Sequence, residues 1–292
     1  MDRPSSALAA LGLGCATFGR EIDAAAAFAI MDFALERGIN HFDTAPSYGD
    51  GASERVIGQW LTYRSPVVAP RIATKVKPPY TAAAIHQSVD ASRGRLRRDR
   101  LDLLYLHQWD PTALNYDVIK ALESLVASGA IGSVGASNVE QTQIQALHHA
   151  LASSSRVTLR AIQNNHNFAV RTVDRAMTQY CRNHTIDIVT YSPLGAGFLT
   201  GKHSQGVQQG SRFQLLPAHQ DIYFQSEAQR RLVELQALAA QTGISSTTLA
   251  LAWAMRHPGT AMVLIGARST GHLAQALAAR DADVHSPQTS MD

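Results

Sequence analysis

The chain alternates short apolar runs with segments whose apolar positions recur every three to four residues. The runs Leu11–Cys15, Ile39–Phe42, Arg71–Thr74, Leu101–Leu106, Ile131–Gly135, Leu159–Gln163, Ile186–Thr190 and Ala261–Ile265 are mostly too short for helices. They are continuous in Leu, Ile and Val rather than alternating, the pattern of parallel strands buried on both faces. Between them, Asp23–Arg37 keeps Phe28, Met31 and Leu35 on one side. Thr81–Leu96, Tyr116–Ala127, Val139–Leu151, Thr172–Arg182 and Glu227–Ala240 show the same period, which predicts helices. Gly38, Gly129 and Gly243 stand where helix C-terminal caps are expected.

The strand ends fall near residues 14, 43, 75, 107, 136, 164 and 191, each interval the length of one strand–loop–helix unit. Eight such units predict a single α/β domain over residues 1–292, a (β/α)8 TIM barrel rather than an open sheet. The eighth strand comes late. The extra chain is the Gly-, Gln- and Ser-rich stretch Gly195–Gln225 and a further helix around Ser245–Arg256; an insertion of that length predicts a functional loop. A dinucleotide-binding open sheet is the structural rival, but Gly12-Leu13-Gly14 is too short a match to its glycine fingerprint.

Composition narrows the class. Hydrophobic residues make up 45% and charged residues 17% of the chain, the profile of a soluble globular enzyme. No apolar run reaches membrane-spanning length, and the N-terminus lacks the basic start and apolar stretch of a secretory signal. Cys15 and Cys181 are too few for a disulfide framework, so a cytoplasmic location is expected. Arginine far outnumbers lysine, a bias that suggests a GC-rich bacterial genome. The densest charge cluster, Arg93, Arg95, Arg97, Arg98 and Arg100, reads as the solvated end of a helix rather than a nucleic-acid patch. Neither a nucleic acid nor a membrane is expected as a partner, and oligomeric state is left open.

In a (β/α)8 barrel the active site lies at the C-terminal ends of the strands. Strand two ends at Asp43, strand three at Lys75 and strand four at His107, and Tyr48 follows in the loop after Asp43. A buried lysine at a strand end needs a partner, because burying an ammonium costs several kcal/mol. The set suits acid catalysis on a carbonyl. Asp43 would hold Lys75, whose ammonium would lower the proton affinity of Tyr48. Tyr48 would protonate the carbonyl oxygen and His107 would orient it. Hydride must come from a cofactor.

At this point the chain resembles the aldo–keto reductase superfamily. The matching segments are Phe42-Asp43-Thr44-Ala45-Pro46-Ser47-Tyr48-Gly49, Ala73-Thr74-Lys75, Leu101-Asp102-Leu103-Leu104-Tyr105-Leu106-His107, Gly135-Ala136-Ser137-Asn138 and Tyr191-Ser192-Pro193-Leu194-Gly195-Ala196-Gly197. By this resemblance Asp43, Tyr48, Lys75 and His107 match the catalytic tetrad. Ser137, Asn138 and Gln163 match contacts to the nicotinamide carboxamide, and Tyr191 the aromatic that stacks on the ring. Ser192, Leu194, Gly195 and Gly197 match the pyrophosphate loop. Lys202 and Arg212 would belong to a clasp over the cofactor, as in the branch resembling potassium-channel β subunits. Gly266 and Arg268 would meet the adenosine end, which favours NADPH, with NADH as the second candidate. His272, Gln275 and Ala276 depart from the pattern of that branch, which puts the 2′-phosphate contacts in doubt.

The resemblance implies an NADP-dependent oxidoreductase that reduces an aldehyde or ketone to an alcohol, or runs the reverse. The partner is then a small-molecule carbonyl substrate. Phe18, Tyr48, His107 and Trp109 are expected around it, with Tyr80 and Asn165 or His166 also placed at the rim. The alternative is a regulatory protein that binds nicotinamide as a redox sensor; an intact tetrad argues for turnover. A metal-dependent hydrolase is disfavoured because no two of the twelve histidines stand at metal-ligand spacing on neighbouring strand ends.

Overall fold

Each strand hydrogen-bonds in parallel to the next in chain order, and the eighth returns to the first, so the sheet closes without an edge. In this computed structural model, which describes residues 8–153 and 157–282, the strands are β1 (Ala10–Gly14), β2 (His41–Asp43), β3 (Arg71–Val76), β4 (Leu103–Leu106), β5 (Val134–Ser137), β6 (Leu159–Asn165), β7 (Asp187–Tyr191) and β8 (Thr260–Gly266). The helices are α1 (Ala24–Glu36), α2 (Ala52–Arg64), α3 (Ala82–Leu96), α4 (Tyr116–Ala127), α5 (Gln141–Ala152), α6 (Arg175–Asn183), α7 (Arg212–Leu215), α8 (Gln220–Tyr223), α9 (Ser226–Thr242), α10 (Ser246–Arg256) and α11 (Thr270–Asp281). The molecule is the (β/α)8 barrel that the spacing implies.

Four helices escape the period-based expectation, the short α7 and α8 within the insertion and the longer α2 and α11. α2 buries Ser53 and Glu54 beside Val56, Ile57 and Trp60, and two polar residues on the inner face erase the apolar stripe. α11 buries Leu273, Ala276 and Ala279, so its face carries little hydrophobic contrast. β4 and β5 also start later than expected. Leu101 and Ile131 form only an isolated bridge, where Asp102 turns its carboxylate to the backbone N–H of Ile72 at 2.7 Å.

The barrel interior is filled by Ala73, Leu103, Tyr105, Ala161, Val189 and Leu264, small residues facing large ones. A Cβ on Gly135 would lie 2.5 Å from the Tyr105 ring, and one on Gly12 would lie 2.7 Å from Leu264. These positions are glycine because the tapering interior leaves no room for a side chain. The larger apolar layer lies outside the sheet, where Ile30, Met31, Ile57, Leu122 and Ile144 cover the strands.

The insertion after β7 is more than a loop. Phe198, Leu199, Phe213 and Tyr223 pack against Leu232, Leu235 and Leu249 of α9 and α10 to form a second apolar cluster. That anchorage gives the insertion a fixed shape over the rim. In the arginine cluster, Arg93, Arg95 and Arg98 pair with Asp90, Glu54 and Asp102. Both cysteines are free and buried. Among the described residues no helix is long and apolar enough to cross a membrane.

Candidate active site

The barrel register brings the strand ends together. Gly14 pairs with Asp43, Asp43 with Ala73, and Lys75 with Tyr105, so Lys75 lies one inward step above the row that holds Ala73. From there Nζ of Lys75 donates to Oδ1 of Asp43 at 2.5 Å, to the Thr44 carbonyl at 3.0 Å and to the Tyr48 hydroxyl at 3.1 Å. Its three protons are all placed. The other Asp43 oxygen accepts from Nε2 of Gln163 at 2.7 Å. The ring of Tyr48 meets that of His107 edge to face, 6.1 Å between centroids.

Helix α2 braces this group from behind. The Ser53 hydroxyl donates to the Cys15 carbonyl and bonds the Thr44 hydroxyl, each at 2.8 Å. Glu54, fully buried, accepts from Thr74 at 2.6 Å and from Arg95 at 2.6 Å. The backbone on either side of Asp43 and Lys75 is thus fixed by polar residues that a hydrophobic pattern cannot reveal.

Electrostatics differ from the expectation in one respect. Lys75 does lower the proton affinity of Tyr48, but burial and then Asp43 oppose it, and the phenol ends above its ordinary value. Asp43 cancels much of the charge that Lys75 would otherwise project. Lys75 itself is penalised by burial, yet Asp43 and Tyr48 outweigh that cost and hold it above the usual lysine value. Tyr48 is therefore a proton-loaded phenol beside an ammonium. His107 is driven down to about 3, first by burial and then by Lys75 and Lys77. It stays neutral, and its buried Nδ1 has no partner among the described residues.

A cleft of about 410 Å³ runs from Tyr48 and His107 across the rim to Arg268 and His272. Asp43, Ser137, Asn138, Gln163 and Tyr191 form its floor on one side. The Tyr191 hydroxyl donates to Oδ1 of Asn138 at 2.6 Å, and Nδ2 of Asn138 donates to the His107 carbonyl at 2.9 Å. Ser137 gives its hydroxyl to the Gln163 carbonyl at 2.8 Å. With Nδ2 of Asn138 also donating to the Ser137 hydroxyl at 3.2 Å, the side chains of Tyr191, Asn138 and Ser137 form one polar chain anchored on the Gln163 backbone. Past them the backbone turns left-handed at Ser192, Gly195, Ala196 and Gly197, where the N–H groups of Gly195 and Gly197 donate to the Ser192 and Leu194 carbonyls at 2.8 and 3.0 Å. Gly197 is held to glycine by a φ of +96°, and the end of the Lys202 side chain lies against its open face.

The family model described as "Aldo/keto reductase family" matches residues 10–290. The chain belongs to the aldo/keto reductase family. Its similarity to individual proteins is moderate and spans most of both chains. It is 30% identical to aflatoxin B1 aldehyde reductase member 2 of Rattus norvegicus, over 92% of this chain and 79% of that protein. It is 27% identical to the uncharacterized oxidoreductase YrpG of Bacillus subtilis, over 94% and 87%. It is 28% identical to a probable voltage-gated potassium channel subunit beta of Arabidopsis thaliana, over 91% and 85%.

Within this aldo/keto reductase the three cations expected to bind anionic groups divide into two sets. Arg212 donates to Glu21 at 2.9 Å, and its charge reaches Tyr48. Lys202 and Arg268 act on each other and on His272 instead. Arg268 also donates to the Gly210 carbonyl at 3.0 Å. The insertion is thereby tied to the β1–α1 loop on one side and to the β8–α11 loop on the other.

Several expected site residues lie elsewhere. Phe18 is fully buried in the outer apolar layer and does not line the cleft, because the β1–α1 turn folds it inward. Trp109 packs against the same layer from a partly buried position. Tyr80 is buried and spends its hydroxyl on the Gln108 carbonyl at 2.6 Å. Asn165 accepts from Tyr223 at 3.0 Å, while His166 is buried against Trp253 and His257. Gly195 sits behind the cleft, where an added Cβ would strike the Tyr223 ring at 2.7 Å. Gln275 lines the cleft, and so do Thr17, Glu21 and His219, which the sequence does not single out. These three come from loops and short helical turns distant in sequence, and none stands at a strand end.

Proposed function

We propose that this aldo/keto reductase interconverts an aldehyde or ketone with the corresponding alcohol, using NADPH, with Tyr48 as the general acid. The observation that carries it is the Tyr48 hydroxyl 3.1 Å from the Lys75 ammonium, in one cleft with neutral His107. A phenol that keeps its proton until the carbonyl oxygen becomes basic is suited to deliver it in the transition state. Neutral His107 can hydrogen-bond and orient that oxygen without a competing charge. Lys75 stabilises the phenolate that remains, and Asp43 keeps Lys75 in place.

The cleft has features that fit a nicotinamide dinucleotide. Tyr191 offers a flat aromatic face, and Asn138 and Gln163 carry amide groups whose remaining acceptor sites match a carboxamide. Ser192, Leu194 and Gly197 line the cleft where a pyrophosphate would lie, and the glycine leaves that wall without a side chain. At Gly266, which also lines the cleft, an added Cβ would meet nothing within 4 Å, so backbone there is open to close approach. Lys202 and Arg268 supply charge for a 2′-phosphate. When bound, the nicotinamide would supply or accept the hydride. Ser137 acts through Gln163, to which its hydroxyl is already committed.

Incubating purified protein with NADPH and a panel of aldehydes and ketones tests this function. Carbonyl-dependent oxidation of NADPH supports it. Tight cofactor binding with no turnover on any carbonyl would favour a redox-sensing role instead.

A further inference from the structure

Three ring side chains meet where α5 packs beside α6 on the outside of the barrel, and none of them lines the cleft. The ring centroid of His148 lies 4.6 Å from that of His184 and 5.9 Å from that of Tyr180, and Tyr180 lies 4.3 Å from His184. His184 is exposed and His148 half-buried, so the group is open to solvent. Nδ1 of His148 is committed to the Tyr180 hydroxyl at 2.8 Å, which leaves Nε2 as the nitrogen available to a ligand. A histidine that ligates a metal characteristically gives its other ring N–H to an oxygen that fixes the ring; here the phenol is that oxygen. Burial, then His184 and His149, holds His148 below the ordinary histidine value, so its ring is neutral and keeps a lone pair at neutral pH.

We propose that His148 and His184 form a surface site for one Zn²⁺-class transition-metal ion that bridges α5 and α6, with Tyr180 orienting His148. Imidazole nitrogen suits Zn²⁺, Ni²⁺ and Cu²⁺ rather than Mg²⁺ or Ca²⁺. Two nitrogens bound to one tetrahedral ion lie about 3.3 Å apart, a span that these two rings, tilted by 59°, are close enough to provide. Among the described residues no group of three or more His, Cys, Asp or Glu side chains could hold a metal ion, so water completes the coordination. Position adds to the attraction. His148 stands about one turn from the end of α5 and His184 caps the end of α6, and the carbonyl ends of helices favour a cation.

Calorimetric titration of the tag-free, metal-stripped chain with zinc chloride tests the site, with magnesium chloride as the control. Both cysteines are buried, which keeps thiolates from competing for the ion. One Zn²⁺ per chain is expected, with no binding of Mg²⁺. His184→Ala, at an exposed position that leaves the fold intact, should weaken Zn²⁺ binding by more than about tenfold. Tyr180→Phe keeps both ligands and should weaken it about tenfold, the cost of losing a group that orients a ligand. Saturating Zn²⁺ should raise the Tm of wild type and leave that of His184→Ala unchanged, because an ion bound to the native state alone stabilises it. Absence of Zn²⁺ binding to wild type, or unchanged affinity in His184→Ala, would overturn the site. Equal binding of Mg²⁺ would overturn ligation by imidazole. Unchanged affinity in Tyr180→Phe would overturn the orienting role of Tyr180.

Discussion

Gln163 donates its side-chain amide to one oxygen of Asp43 at 2.7 Å, while the other oxygen of Asp43 holds Lys75 at 2.5 Å. The two residues are 120 positions apart in sequence. One side chain of the proposed nicotinamide surface is therefore bonded to the carboxylate that fixes the ammonium beside Tyr48. Gln163→Leu should weaken cofactor binding and also lower kcat, each by about tenfold, because a buried carboxylate oxygen loses its donor. Weaker binding with unchanged kcat, measured by titration and steady-state kinetics, would mean that the bond to Asp43 contributes nothing to the chemistry.

The pH profile of reduction follows from two shifts. Tyr48 must be protonated to act as an acid, and its proton affinity is raised above the ordinary tyrosine value, chiefly by burial. Activity should therefore be lost only as pH rises beyond about 10. His107 lies near 3, so it contributes no transition between about pH 5 and pH 8. A profile of kcat/KM in the reductive direction that fell through neutral pH would contradict both assignments.

The Asp43–Lys75 pair is buried, with side-chain exposures of 3% and 1%. Lys75→Met should cost about 3 kcal/mol of stability, the penalty of leaving one buried charge without its partner. Replacing both, with Asp43→Asn and Lys75→Met, should recover much of that loss. Chemical denaturation of the two variants and the wild type measures the coupling. Equal losses for the single and double variants would show that the charges do not compensate each other.

Much of this site could be read before the fold was known, for a physical reason. Asp43 ends β2, Lys75 is the last residue but one of β3 and His107 directly follows β4, and the regular length of a strand–loop–helix unit forces consecutive strand ends onto one rim. Tyr48 had weaker support, since a loop position alone does not say where a side chain turns. The aromatic residues illustrate the failure. Phe18 and Trp109 stand just past strand ends as pocket walls should, but the turn geometry, which no periodicity encodes, sends Phe18 into the apolar layer and packs Trp109 against it. Helix α2 stayed hidden because its inner face carries Ser53 and Glu54. Glu21 and Arg212 are 191 residues apart, and a cross-rim contact of that kind leaves no local signature.

That contact has a kinetic consequence. The Glu21 side chain is 4% exposed and that of Arg212 24%, and the pair bridges the insertion to the β1–α1 loop across the cleft. Glu21→Gln should speed release of bound cofactor about fivefold, the scale of a partly shielded ion pair. Stopped-flow displacement reads the rate. An unchanged release rate would mean that the insertion does not hold the cofactor through Arg212.

Tyr48→Phe decides the central chemistry. The substitution removes one hydroxyl and leaves the ring against His107, so NADPH should bind with near wild-type affinity. Carbonyl reduction in single turnover should fall on the order of 10²-fold or more, as expected when a general acid is removed. Reduction at a rate close to wild type, with cofactor bound, would contradict the assignment of Tyr48 as the proton donor.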